Sequence, residues 1–127
     1  MRIALDTNCY CDAARSDERV MGLLRRAEEV YLPFVVLAEL RAGFRGGNQA
    51  GPNEANLSQF LDSPRVHVLY ADDQTTHHYA RLYAQLRARR TPVPTNDLWI
   101  AALVLQHDLM LVTRDEHFSR IPEIARI

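Results

Sequence analysis

Four acidic residues stand out by their surroundings: Asp6, Glu39, Asp97 and Asp115. Asp6 follows the apolar run Ile3-Ala4-Leu5 in "MRIALDTNCY" and leads into Thr7 and Asn8. Two roles fit it: Asp, Thr and Asn are all good helix N-caps, and an acid at the carboxyl end of a buried strand also faces any cation beyond it. Glu39 stands in "FVVLAELRAGF". If that run is helical, its neighbours three and four residues away are Val35, Val36, Ala42 and Gly43, none of which can pair with a carboxylate. Either Glu39 faces water, or it is buried and must find a cation elsewhere in the fold, because an unpaired buried carboxylate is very costly. Asp97, in "PVPTNDLWIAALVL", falls in the first turn of an almost wholly apolar helix. An acid there answers the helix macrodipole, yet a helix so apolar does not start from open water. Asp115, in "LMLVTRDEHF", repeats the placement of Asp6: an apolar run, a hydroxyl at Thr113, then an acid, here also able to cap the stretch Glu116 to Arg120.

Brought to one place, four carboxylates repel each other, and burial disfavours their charge further. A divalent cation relieves both problems, and all-oxygen donors select a hard ion, Mg²⁺ or Mn²⁺, over zinc or copper. The five His show no metal-ligand spacing, and the adjacent His77 and His78 point to different sides of a helix, so all five are read as surface or structural residues. Cys9 and Cys11 are too close for a disulfide framework and lack zinc partners. They read as small buried or half-buried thiols on the first helix.

The elements that would position the acids alternate along the chain. Strands are expected at Ile3–Leu5, Val30–Leu32, Val66–Tyr70, Leu109–Val112 and Ile124–Ile127. Helices are expected over Asp17–Glu29, capped by Ser16 or Asp17, and over Leu37–Phe44, Glu54–Leu61, Asp72–Arg89 and Leu98–Gln106. For the last of these, Thr95 or Asn96 is the expected cap. The segment "RGGNQAGPNEAN", Arg45 to Asn56, reads as a long surface loop. This alternation predicts an α/β fold with a parallel sheet covered on both faces. In such sheets ligands sit beyond the carboxyl ends of the strands, at a switch in strand order. The acids after two strands and near two helix starts all fall toward that edge.

The 127 residues are read as a single domain, with 47% hydrophobic and 24% charged residues. Net charge is −1, so any polyanion must be met by a local patch. All fifteen basic side chains are Arg. The stretch "RLYAQLRARR" holds Arg81, Arg87, Arg89 and Arg90 with no acid among them, and Arg114 lies beside Asp115. These suit phosphate, which the planar guanidinium grips in a bidentate way; those of the stretch also suit the end of a helix that starts with Asp72-Asp73. The absence of Lys argues against phospho-aspartate enzymes, which use a Lys to steady the phosphoryl group. No Gly pattern of a nucleotide-binding loop appears. No His or Lys stands where a general base is expected. With no secretory leader and no apolar run long enough to span a bilayer, the expected location is the cytoplasm.

The ordered set "ALDTN", "LAEL", "PTNDLWIAA" and "LVTRDEHF" resembles the four acidic blocks of PIN-domain ribonucleases, above all the VapC-type toxins of toxin–antitoxin pairs. The resemblance spans essentially the whole chain. It implies a three-layer α/β/α sandwich and a Mg²⁺- or Mn²⁺-dependent endoribonuclease whose metal-binding acids are Asp6, Glu39, Asp97 and Asp115. Asn8, Asn96 and Thr113 match the polar residues that hold those acids or a water in place. Arg87, Arg89, Arg90 and Arg114 are the RNA-contact candidates. The resemblance further implies a homodimer held by a cognate antitoxin, whose tail covers the acidic site and often presents a basic side chain to it. The alternative reading is a catalytically silent PIN module that binds RNA or a protein partner.

Overall fold

The computed structural model describes residues Met1–Ile127. In chain order the elements are β1 (Arg2–Leu5), α1 (Thr7–Ala14), α2 (Glu18–Arg26), β2 (Glu29–Pro33), α3 (Phe34–Gly46), α4 (Ala50–Leu61), β3 (Val66–Leu69), α5 (Asp73–Ala88), α6 (Thr95–Gln106), β4 (Met110–Val112), a 3₁₀ turn (Glu116–Arg120) and β5 (Ala125–Arg126). The strands form one sheet in the order β3-β2-β1-β4-β5, every pair parallel. Helices cover it, making a three-layer α/β/α sandwich. Ile3, Ala4 and Leu5 of the central strand are fully buried, which explains why β1 reads as a continuous apolar run rather than an alternating one.

The chain winds from β1 to β2 to β3 in one direction, then returns to place β4 on the other side of β1. The strand order therefore reverses between β1 and β4, the place where a parallel α/β sheet opens a crevice beyond its carboxyl edge. The register pairs Leu5 with Val112, so the residues that follow them, Asp6 and Thr113, emerge side by side into that crevice.

All five strands stand where the apolar runs predict them, but several helix limits differ. The first of the amphipathic helices stops at Arg26 instead of reaching Glu29. Ala27 turns extended, Glu28 N–H donates to Met1 carbonyl, and Glu29 pairs with Arg2, so sheet formation claims these residues. Asp17, rather than Ser16, is its cap. Helix α3 starts three residues earlier than expected, straight after Pro33, because burial of Val35 and Val36 outweighs the weak helix preference of β-branched residues. The expected loop over Arg45–Asn56 is mostly helix: α3 runs to Gly46 and α4 starts at Ala50. The Gly and Asn of this segment suggest a loop, but its Pro52 stands in the first turn of α4, where a missing N–H has no intrahelical partner to lose. Arg41 of α3 clasps Glu54 of α4 at 2.9 Å across this short connection. Helix α6 starts at Thr95 with Pro94 in the cap position, so neither Thr95 nor Asn96 caps it. Its residues Leu98 and Ile100 to Val104 are buried, as its apolar circumference requires.

Candidate active site

The acid after β1 plays the capping role and also faces the crevice. Asp6 is 5% exposed. Its Oδ1 accepts from the Cys9 N–H at 2.9 Å, which caps α1, and its Oδ2 accepts from the hydroxyl of Thr113. Thr113 in turn accepts from the Asp115 N–H at 3.0 Å, so the ends of β1 and β4 are laced together through one hydroxyl. Asp115 caps the 3₁₀ turn by accepting from the His117 N–H at 2.9 Å. Glu39, carried by α3, accepts a 2.9 Å bond from the hydroxyl of Thr7 at the start of α1. Asp97 lies in the first turn of α6.

These four acids share the lining of one small cavity, about 120 Å³, with Thr7, Asn8 and Ile100. A wider mouth adjoins it, walled by Glu39, Pro94 to Asp97, Asp115 and His117. Asn8 and Asn96 are exposed on these walls, and neither side chain donates to any of the four acids, whereas Thr113 does.

The reading that set every histidine aside is corrected by His117. Its Nδ1 lies 3.0 Å from Asp97 Oδ2 and 3.2 Å from Asp115 Oδ1. The three side chains offer donor atoms within 4.8 Å of one another. The signal in the sequence was the Asp-x-His spacing of Asp115 and His117 beyond a strand. It acquires meaning only when α6 packs against the 3₁₀ turn and brings Asp97 to the same point. The other histidines remain outside: His67 pairs with Glu29, His77 with Asp73 and His78 with Arg81, and neither these three nor His107 lines the acid cavity.

Electrostatically the cavity is under-neutralised. No Arg lines it. The Asp97 carboxyl is held above the usual carboxylate range, first by burial and then by the neighbouring charge of Asp115, with Glu39 adding to the effect and His117 opposing it. Hard oxygen donors and crowding of like charge fit a divalent cation such as Mg²⁺ or Mn²⁺, and a cavity of about 120 Å³ has room for the ion with waters.

Arg114 is not free at the rim. It grips Asp12 of α1 with Nε and Nη2 at 2.9 and 3.2 Å, and the pair holds the Asp12 carboxyl below its ordinary range. Asp12 and Thr7 were the residues that sequence reasoning missed here, because each finds its partner far along the chain. Arg87, Arg89 and Arg90 are exposed and form no ion pair with any acid.

The PIN domain family model matches residues 3–124, nearly the full chain. The chain belongs to the PIN domain family. Ribonuclease VapC4 of Mycobacterium tuberculosis is 34% identical over 95 residues, covering 73% of this chain and 72% of that protein. Among solved structures, a DNA-bound VapBC from Salmonella typhimurium superposes with a TM-score of 0.89 at 27% identity, covering 100% of this chain and 97% of that one. VapBC-5 from M. tuberculosis, a member of the VapBC family of toxin–antitoxin systems, superposes with a TM-score of 0.71 at 26% identity, covering 99% of this chain and 98% of its counterpart. The PIN fold and the α/β/α sandwich expected from the four blocks therefore stand.

Proposed function

We propose that this PIN-domain chain is a Mg²⁺- or Mn²⁺-dependent endoribonuclease that acts as the toxin of a toxin–antitoxin pair. The observation that carries the reading is the convergence of Asp6, Glu39, Asp97 and Asp115 on one cavity at the sheet's switch point. The likeness to proteins named as VapC ribonucleases and to VapBC toxin–antitoxin complexes supports the substrate class and the antitoxin partner.

Asp6, Asp97 and Asp115 would hold the ion, with Glu39 completing the set. When bound, such an ion polarises a phosphate oxygen and acidifies a water for attack on the phosphodiester. Thr113 fixes the Asp6 carboxylate so that it does not rotate away. Thr7 does the same for Glu39. The ring of His117 stands between Asp97 and Asp115, with its Nδ1 in hydrogen-bond reach of both carboxylates. The arginines at the end of α5, Arg87, Arg89 and Arg90, supply the positive charge that draws the RNA backbone toward an acidic cavity. A homodimer and an antitoxin tail laid over the acids complete the proposal.

The test is cleavage of end-labelled total cellular RNA by purified protein with Mg²⁺, Mn²⁺ or EDTA. Asp97→Asn is a better control than Asp6→Asn, because Asp6 also caps α1 and joins β1 to β4. Discrete metal-dependent fragments that vanish with Asp97→Asn are expected. Tight Mn²⁺ binding with identical wild-type and variant RNA patterns would instead place the chain among silent PIN modules.

A further inference from the structure

The segment that leads into α6 also lines a second cavity. Pro92, Val93 and Leu98 face Tyr83, Leu86, Arg87 and Arg90 of the α5 end across a volume of about 370 Å³. Pro94 to Asp97, in the same segment, wall the mouth of the acidic site. One short segment, residues 92–98, thus contributes to both, with residues 92, 93 and 98 on the second cavity and residues 94–97 on the acidic mouth. Arg120 holds this segment in place by donating to the Pro92 carbonyl at 2.5 Å.

The second cavity combines three surfaces that suit one nucleotide. Leu86 and Leu98 make a buried apolar floor. Tyr83 is 51% exposed and stands nearly parallel to Tyr79, at 12° and 6.5 Å between ring centres. Tyr79 in turn packs on Trp99 at 4.3 Å, so Tyr83 is the exposed end of an aromatic row anchored on α6. Arg87 and Arg90 stand over the rim with no acid to neutralise them.

Arg90 carries a backbone cost as well. Its φ is +56°, the left-handed region. Helix α5 ends with Thr91 N–H donating to Leu86 carbonyl and Arg90 N–H to Arg87 carbonyl, at 3.0 and 3.1 Å. That pattern ordinarily takes Gly at the position of Arg90. Ser16 and Asp108 end their helices in the same conformation, but with short polar side chains. The cost comes from the Cβ and glycine would avoid it, yet the chain keeps at this place an arginine that lines the cavity.

We propose that this second cavity binds a nucleotide of the RNA strand adjacent to the one held at the acidic site, with its base on Tyr83 above the apolar floor and its phosphate on Arg87 and Arg90. The proposal rests on the ribonuclease reading above. A cluster of arginines without acids favours a polyanion over an apolar protein surface. Continuity with the acid cavity along residues 92–98 is what a bound strand needs and a docked protein does not.

The experiment measures anisotropy of a labelled single-stranded RNA of about ten nucleotides, with every protein carrying Asp97→Asn so that the strand survives. Tyr83→Leu should weaken binding about tenfold and Tyr83→Phe should restore it, since stacking needs the ring and not the hydroxyl. Arg87→Gln and Arg90→Gly should each flatten the slope of log affinity against log salt by about 0.7. Arg90→Gly should also raise the Tm by about 2–5 °C while weakening RNA binding, a combination that a merely structural arginine does not produce. If the parent binds RNA and all four variants match it, the cavity is not a subsite, although the ribonuclease reading stands. If the variants bind RNA normally but change the mass seen by light scattering, the surface is a protein interface and the proposal is overturned. Absence of both binding and cleavage in the wild-type chain would remove the ribonuclease reading and the subsite with it.

Discussion

Neutralising Asp97 should make the metal-free protein more stable. The donor atoms of Asp97 and Asp115 lie within 4.8 Å of each other, and the two side chains are 16% and 30% exposed. Two unit charges at that separation repel by about 3.5 kcal/mol at an effective dielectric of about 20. His117, at 3.0 and 3.2 Å, and water at the mouth offset part of this, leaving about 1–2 kcal/mol. The attraction that Asp97 loses to the α6 dipole is smaller, a few tenths of a kcal/mol to about 1. The sign follows from the raised Asp97 titration. A carboxyl raised in the folded state contributes stability below its unfolded value, about pH 4, and loses it as pH rises, so at neutral pH the ionised group opposes folding. Asp97→Asn keeps an oxygen to accept from His117 and removes the charge. The net gain is about 0.5–1.5 kcal/mol, so in EDTA at about pH 7.5 the variant should melt about 2–6 °C above wild type, and near pH 3 the two should coincide. Mn²⁺ at about a hundredfold excess over its Kd adds about 2.7 kcal/mol to a protein that holds it, so the order should invert for wild type. Circular dichroism melts in EDTA and in Mn²⁺ measure all of this. A variant that melts at or below wild type in EDTA at neutral pH would refute the reasoning, because His117 alone would then satisfy the cluster.

Three further outcomes follow from individual side chains. Thr113→Val removes the hydroxyl that serves Asp6 and Asp115 at nearly constant volume; urea unfolding should show a loss of about 1.5–3 kcal/mol, and calorimetry a weaker Mn²⁺ affinity. The Cys9 thiol is fully buried and pushed up to about 12, first by burial and then by Asp6; at about pH 8 it should resist a disulfide reagent in the native protein and react once urea opens the core. Asp72 is held below its ordinary range by hydrogen bonds from Gln106 and Thr75 that tie the start of α5 to the end of α6. Its contribution is present above about pH 4 and lost as pH falls through the depressed value, so Asp72→Ala should lower the Tm at neutral pH and converge with wild type in strong acid.

Strands were legible from the sequence because a buried parallel strand leaves a local mark, a short run such as Ile3-Ala4-Leu5 with nothing polar in it. Helix α6 was legible for the same reason, its apolar circumference being a property of twelve consecutive residues. Helix boundaries were less so. The limits of α2 and α4 depended on a sheet partner 27 residues away, Arg2 for Glu29, and on a proline whose meaning changes with its place in a turn.

The acids were identified by what each lacked nearby: Glu39 had no local cation, and Asp6 and Asp115 each ended an apolar run. Residue types and their order along the chain therefore determined the fold class, the four carboxylates and the block pattern of the PIN family. Only the tertiary structure decided how those carboxylates are held. Thr113 reaches Asp6 across 107 residues, Arg114 reaches Asp12 across 102, and His117 reaches Asp97 across 20. Such pairings arise from strand order and helix packing, which set directions in space that periodicities of two or 3.6 residues do not encode. The sequence could say that the acids needed a partner; where the threonine, the histidine and the arginines would stand around them was settled by β4 returning to lie beside β1.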